Sequence, residues 1–164
     1  MILTGSEIRD LISKKGLIEN YIDLGVQIQP NGIDLTVGKI ELVRPVPAGV
    51  IDFSGENRTF PDRRKVGWAQ GAIELSPRVY YLGWTNEKVN MPLNMTGVLR
   101  PRTSAFTMGL ALFTGVVDAG FRGRIRFGLL VYNPVRIKKN ARLLHMLVIR
   151  LSKTTFGYAG IWKE

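Results

Sequence analysis

Glycine and proline punctuate this chain at short intervals, 18 and 8 of them among 164 residues. The segments between them are brief and rich in β-branched and aromatic residues. Short strands at regular spacing, separated by Gly/Pro turns, predict an all-β, mainly antiparallel sandwich or barrel. Strand character falls at residues 24–29, 32–37, 39–43, 50–53, 72–76, 79–84, 95–99 and 142–151, with Thr85-Asn86-Glu87 as a turn. One short N-terminal helix is expected. Thr4-Gly5-Ser6-Glu7 fits a capping box, Ile8, Leu11 and Ile12 form one apolar stripe, Leu3 can staple onto Ile8, and Gly16 ends the helix. Residues 54–70 read as a long polar surface excursion. No repeat or second domain is visible, so residues 1–164 read as one domain, with 152–164 a mobile tail able to fold over a ligand.

Hydrophobic residues make up 45% of the chain, enough for a substantial core. Cysteine is absent and there is one histidine, which excludes disulfides and thiolate chemistry and speaks against a zinc site. With no apolar run of membrane-spanning length and no signal-like N-terminus, a cytoplasmic location and no membrane partner are expected. The net charge of +10 asks for a polyanionic partner or a nucleotide. Its residues are scattered, and aromatics do not interleave with them as a single-strand-binding platform requires, so nucleic acid is not expected. Arg122, Arg124 and Arg126 alternate with Gly123, Ile125 and Phe127, either as a solvated sheet face or as an electropositive rim for a charged ligand.

Residues 100–133 concentrate the groups that chemistry needs. Arg102, Thr103 and Ser104 are donors suited to a phosphate chain. Asp118 is a carboxylate in a turn bounded by Gly115, Gly120 and Gly123. Residue types alone leave that turn open between a water-activating site and ordinary hairpin geometry. Asp34, between Ile33 and Leu35, is either a partnered structural carboxylate or part of a polar site.

Several segments, in order, resemble one family. They are "QPNGIDLTVG" around Asp34, "LGWTNEKVNMP", "RPRTSAFTMGL", "TGVVDAGFRG", "NARLLHMLV" and the tail "YAGIWKE". The chain is similar to the superfamily of deoxyuridine triphosphatases (dUTPases) and dCTP deaminases, closest to the short archaeal-type dUTPases. That resemblance implies a distorted, jelly-roll-like β-barrel (β-clip) and a homotrimer with sites between subunits. The deaminase pattern carries a second arginine where this chain has Thr107, and a proton-shuttling glutamate where it has Gly128. Glycine moves no proton, so the resemblance implies hydrolysis of dUTP to dUMP and pyrophosphate rather than deamination. The rival readings are a deaminase or bifunctional deaminase–diphosphatase and a non-enzymatic nucleotide- or nucleic-acid-binding domain.

By the same resemblance Asp118 activates water for attack on the α-phosphorus. Arg102, Thr103 and Ser104, with Tyr158 and Gly160 of the tail, hold the phosphates. Phe121 stacks under the deoxyribose, and Thr114, Gly115 and Val117 belong to the base-reading hairpin. Mg²⁺ is carried by the phosphates and water, with no direct protein ligand. Asp34 and His145 have supporting positions. His145 stands where the family usually has glutamine, and a lone strand histidine also reads as a packed or partnered core residue.

Overall fold

The computed structural model describes residues 1–44 and 49–161. In chain order the elements are α1 (Gly5–Lys15), β1 (Ile18–Glu19), α2 (Leu24–Gln27), β2 (Ile28–Gln29), β3 (Gly32–Val43), β4 (Arg63–Lys65), β5 (Ala72–Leu75), β6 (Tyr80–Asn90) and β7 (Met95–Pro101). There follow α3 (Thr103–Thr107), β8 (Leu110–Phe113), β9 (Val116–Val117), β10 (Arg122–Val131), β11 (Val135–Lys138) and β12 (Arg142–Arg150). All of the strand pairings are antiparallel. The main sheet runs β8-β10-β6-β3-β12-β7-β9 and curls into a half barrel; β5 and β11 form a separate pair. Among the described residues no helix is long and apolar enough to cross a membrane.

The helix α1 forms where its local signals place it. Thr4 and Glu7 close the capping box, and Gly16 ends the helix at φ +62°, a left-handed conformation that suits glycine. Its apolar stripe seats Ile8 and Ile12 against the barrel beside Leu3.

Three strand expectations need correction. Residues 24–29 begin not as a strand but as the single turn α2. Asp23 caps that turn by accepting from Gly25 N at 2.8 Å, and the Gln27 side chain takes up Ile22 N and Asp23 N. Residues 32–37 and 39–43 are one strand. Gly38 does not break β3; the pairing with β6 slips one position between Val37 and Lys39, a bulge that leaves both halves in the ladder. The first half of β3 pairs with β12 and the second with β6, so this strand joins the two halves of the curl. Residues 50–53 make only an isolated bridge, Val50 to Thr59.

Thr85-Asn86-Glu87 is not a turn either but the middle of β6. Polar residues are tolerated there because each is bonded. The fully buried Glu87 accepts from Gln27 Nε2 (2.8 Å), Thr36 N (3.0 Å) and Thr36 Oγ1 (2.6 Å). Burial raises the Glu87 carboxyl above its ordinary value of 4.5, and these donors oppose the rise without cancelling it. A carboxyl raised by folding favours the native state below its unfolded pKa, and that contribution is lost as pH rises through the folded one. Wild-type protein should therefore lose stability relative to Glu87→Gln between pH 4 and pH 7, read by urea unfolding at both; a constant difference would show that burial does not govern this group.

Candidate active site

The turn carrying Asp118 is fixed on both sides. Phe121 N donates to Asp118 O (3.1 Å), Gly120 N to Met91 O (3.0 Å), and Met91 N to Phe121 O (2.9 Å). Gly120 has φ +75°, and a Cβ on it would stand 2.7 Å from Gly157 Cα, so glycine is required for both conformation and space. The tail docks here: Tyr158 N donates to Ala119 O at 2.8 Å, and its ring meets that of Phe121 edge-on, centroids 5.6 Å apart. Asp118 is exposed and Phe121 buried.

These residues line one end of a pocket of about 600 Å³. Thr114, Gly115 and Val117 line it too. Thr114 Oγ1 donates to Leu99 O and Thr96 Oγ1 to Val117 O, both at 2.9 Å, which pins the hairpin onto β7. Of the three alternating arginines, Arg124 and Arg126 line the pocket and Arg122 does not. Arg126 also lies over the Trp84 ring at 5.6 Å, a ring shared with Lys39 at 4.2 Å and Arg63 at 5.9 Å. The pocket continues along β10 to Gly128, Tyr80 and Phe113. Gly128 thus faces the cavity with no side chain to offer, and a Cβ there would collide with the Tyr80 hydroxyl.

Arg102, Asp34 and His145 assemble elsewhere. Asp34 is 2% exposed and holds three cationic or ionisable partners. Its Oδ2 takes Arg102 Nε at 2.9 Å and Arg142 Nη1 at 3.2 Å, and its Oδ1 faces His145 Nδ1 at 3.0 Å. Gln27 Nε2 ties Asp34 O to Glu87, linking this cluster to the buried network of β6. Thr103 and Ser104 begin the short helix α3, both exposed. Neither they nor Arg102, Asp34 and His145 line the Asp118 pocket, and nor does Gly160. Tyr158 does; a Cβ on Gly160 would collide with the Tyr158 ring. Residues 162–164 of the tail motif lie outside the described residues.

The chain therefore carries two separate clusters, a carboxylate beside an apolar pocket and an arginine-rich group around a buried carboxylate. Among the described residues no three His, Asp or Glu side chains gather closely enough to cage a metal ion. Arg142 and Tyr80 belong to these sites and were missed by sequence reasoning. Arg142 stands three residues from His145, which a regular strand would place on the opposite face. The register shift between Arg142 and Leu144 brings both onto Asp34.

The half-barrel fold agrees with the class that the sequence defines: the chain belongs to the dCTP deaminase-like family, whose sequence profile matches residues 2–151. It is 38% identical to a probable deoxyuridine 5′-triphosphate nucleotidohydrolase of Methanosarcina mazei, over 99% of this chain and 96% of that protein. It is 30% identical to a dUMP-forming dCTP deaminase of Persephonella marina, over 93% of this chain and 86% of that one. The crystal structure of 2′-deoxycytidine 5′-triphosphate deaminase from Agrobacterium tumefaciens shares the fold, with a TM-score of 0.70 at 19% identity. That alignment covers 90% of this chain and 46% of the bacterial one, so the chain spans about half its length.

Proposed function

We propose that the protein is a Mg²⁺-assisted dUTP diphosphatase, forming dUMP and pyrophosphate. The observation that carries this reading is the pocket holding Asp118 and Phe121 at one end and a bare Gly128 at the other. Deamination needs a side chain that passes a proton from water to the leaving ammonia, and position 128 has none. Hydrolysis of the triphosphate needs instead a carboxylate to orient and deprotonate water, and Asp118 is exposed at the pocket for that role. Close homology to a nucleotidohydrolase named for dUTP supports the same substrate.

In this reading Phe121 packs under the deoxyribose and excludes a 2′-hydroxyl, while Thr114, Gly115 and Val117 shape the base-reading hairpin. Arg102, its Nε held by Asp34 and its Nη1 donating to Arg142 O at 3.5 Å, offers its remaining N–H groups to phosphate oxygens, and Thr103 and Ser104 add hydroxyl donors. Tyr158 and Gly160 close the tail over the bound nucleotide. Both Asp34 oxygens are already engaged, which suits a metal carried by phosphates and water rather than by a protein cage. Mg²⁺ bound that way neutralises charge on the phosphates. The separation of Arg102 from the Asp118 pocket supports a homotrimer whose complete site joins half-sites of neighbouring subunits in the cytoplasm; a sedimentation mass three times that of the chain tests it.

The deciding experiment offers dUTP, dCTP, dTTP and UTP, with and without Mg²⁺, and follows pyrophosphate and ammonia. Pyrophosphate from dUTP alone, only with Mg²⁺, is the expected result. Ammonia from dCTP would establish the deaminase instead, and no cleavage of any nucleotide would leave a binding domain.

A further inference from the structure

The strand pairings bring one more cation to the Asp34 cluster: Arg100, which has no part in the function proposed above. In the ladder of β3, β12 and β7, His145 stands opposite Asp34 on one side and opposite Arg100 on the other. Residues directly opposite in an antiparallel ladder project from the same face of the sheet. Asp34, His145 and Arg100 therefore form one row across three strands. Arg102 follows Arg100 by two positions with extended backbone, so alternation puts it on that face too. Its Nε contact to Asp34 agrees. Arg142 reaches the same carboxylate from β12.

Three guanidiniums thus share a face with one carboxylate. Arginine is always charged, so the face holds an excess of positive charge before His145 is counted. Among the described residues no other carboxylate bonds any of the three. Both Asp34 oxygens are engaged, which leaves it no capacity for Arg100. The Arg142 Nη1 is taken by Asp34 and by Val26 O at 2.8 Å, while its Nε and Nη2 bond no described residue. Arg100 is exposed, and its side chain bonds no described residue either. Two guanidiniums fixed on one carboxylate, with N–H groups still open, are donors set in advance for an oxyanion. A third on the neighbouring strand widens the charged face, which suits an anion with charge on adjacent groups better than a single carboxylate.

We propose that Arg100 is a further substrate-binding residue, forming with Arg102 and Arg142 a cradle for a pyrophosphate group, the β- and γ-phosphates of the nucleotide. Assigning that group to a nucleotide rests on the hydrolase reading above. In that reaction water adds to the α-phosphorus and its proton passes to Asp118. The bond to the bridging oxygen breaks, and its electron pair leaves on pyrophosphate. Negative charge grows on the leaving group, where guanidiniums already in place stabilise it.

The test titrates inorganic pyrophosphate and dUMP, each with Mg²⁺, into full-length wild-type protein, Arg100→Gln and Arg64→Gln. The Arg100 side chain bonds no described residue, so its loss should leave the melting curve unchanged. Arg64, exposed on β4, controls for removing one charge anywhere on the protein. In Arg100→Gln the Kd for pyrophosphate should rise about tenfold or more, the worth of one charge-assisted contact. The Kd for dUMP should not change, because dUMP lacks the phosphates that the cradle holds. Arg64→Gln should match the wild type on both. Wild-type affinity for pyrophosphate in Arg100→Gln overturns the proposal, as does wild-type protein that binds none. An equal loss in Arg64→Gln, or an equal loss on dUMP, overturns it too, since the first marks general charge attraction and the second a disturbed fold. If pyrophosphate binding depends on Arg100 but the wild type releases none from dUTP, the cradle stands and the hydrolase reading falls.

Discussion

Asp118→Asn should reduce dUTP turnover by about 10²- to 10⁴-fold, the span over which a positioned general base contributes. Asparagine keeps the volume and most of the polarity, and the turn does not depend on the carboxylate. It is held by main-chain bonds from Phe121, Gly120 and Met91. Melting temperature and tail docking should therefore match the wild type, and KM should change little, because the proposed phosphate donors Arg102, Thr103 and Ser104 do not line the Asp118 pocket. The amide can still orient a water but cannot take its proton. Single-turnover measurements at saturating dUTP and Mg²⁺ isolate the chemical step. Turnover within threefold of wild type would remove Asp118 from the water-activating role.

Asp34→Ala should act on stability and on substrate binding together. The carboxylate is buried, while its partners Arg102 and Arg142 keep 29% and 30% of their side-chain surface in solvent. Deleting the anion strands two guanidiniums that water reaches only in part. The lower end of the cost of breaking a buried pair applies, about 3 kcal/mol, or a fall of about 6–12 °C in melting temperature. Arg102 also loses the contact that fixes its Nε and keeps only the longer one from Nη1 to Arg142 O, so its guanidinium is less firmly aimed. KM for dUTP should rise more than tenfold, while kcat, set at the Asp118 turn, falls less. Calorimetry at matched protein concentration and steady-state kinetics read the two effects. An unchanged melting curve would mean that the cluster does not hold β3 to β12.

How much of this was legible in the sequence depends on whether its causes are local. The helix α1 was, because Thr4, Glu7 and Gly16 sit within one helix of each other and specify both ends. The Asp118 turn was, because its glycines flank it in sequence. The continuity of β3 was not: a glycine reads as a break, and only the partner strand shows that Gly38 is a bulge. Glu87 was read as a turn residue because the groups that satisfy it, Gln27 and Thr36, lie 60 and 51 positions away. Arg142 was hidden by strand parity, which the register shift reverses. Tyr80 was hidden because its relation to Gly128 exists only across neighbouring strands. Arg102 and Asp118 are close along the chain, yet only Asp118 lines the pocket, and the strand pairings that separate them are not visible in sequence order.

The division of β3 between two partners sets the order in which the protein can be made. Asp34 meets Arg142 and His145 across sequence separations of 108 and 111 residues. The first half of β3 must wait for β12, while its second half pairs with β6, which is made much sooner after it. A nascent chain therefore carries an open sheet edge, with Asp34 on it still short of Arg142 and His145, until β12 has emerged. Such long-range pairing slows folding and leaves the edge available to other strands meanwhile. Arg142, the second arginine on Asp34, arrives with β12 itself, so the arginine-rich cluster is completed only as the barrel closes.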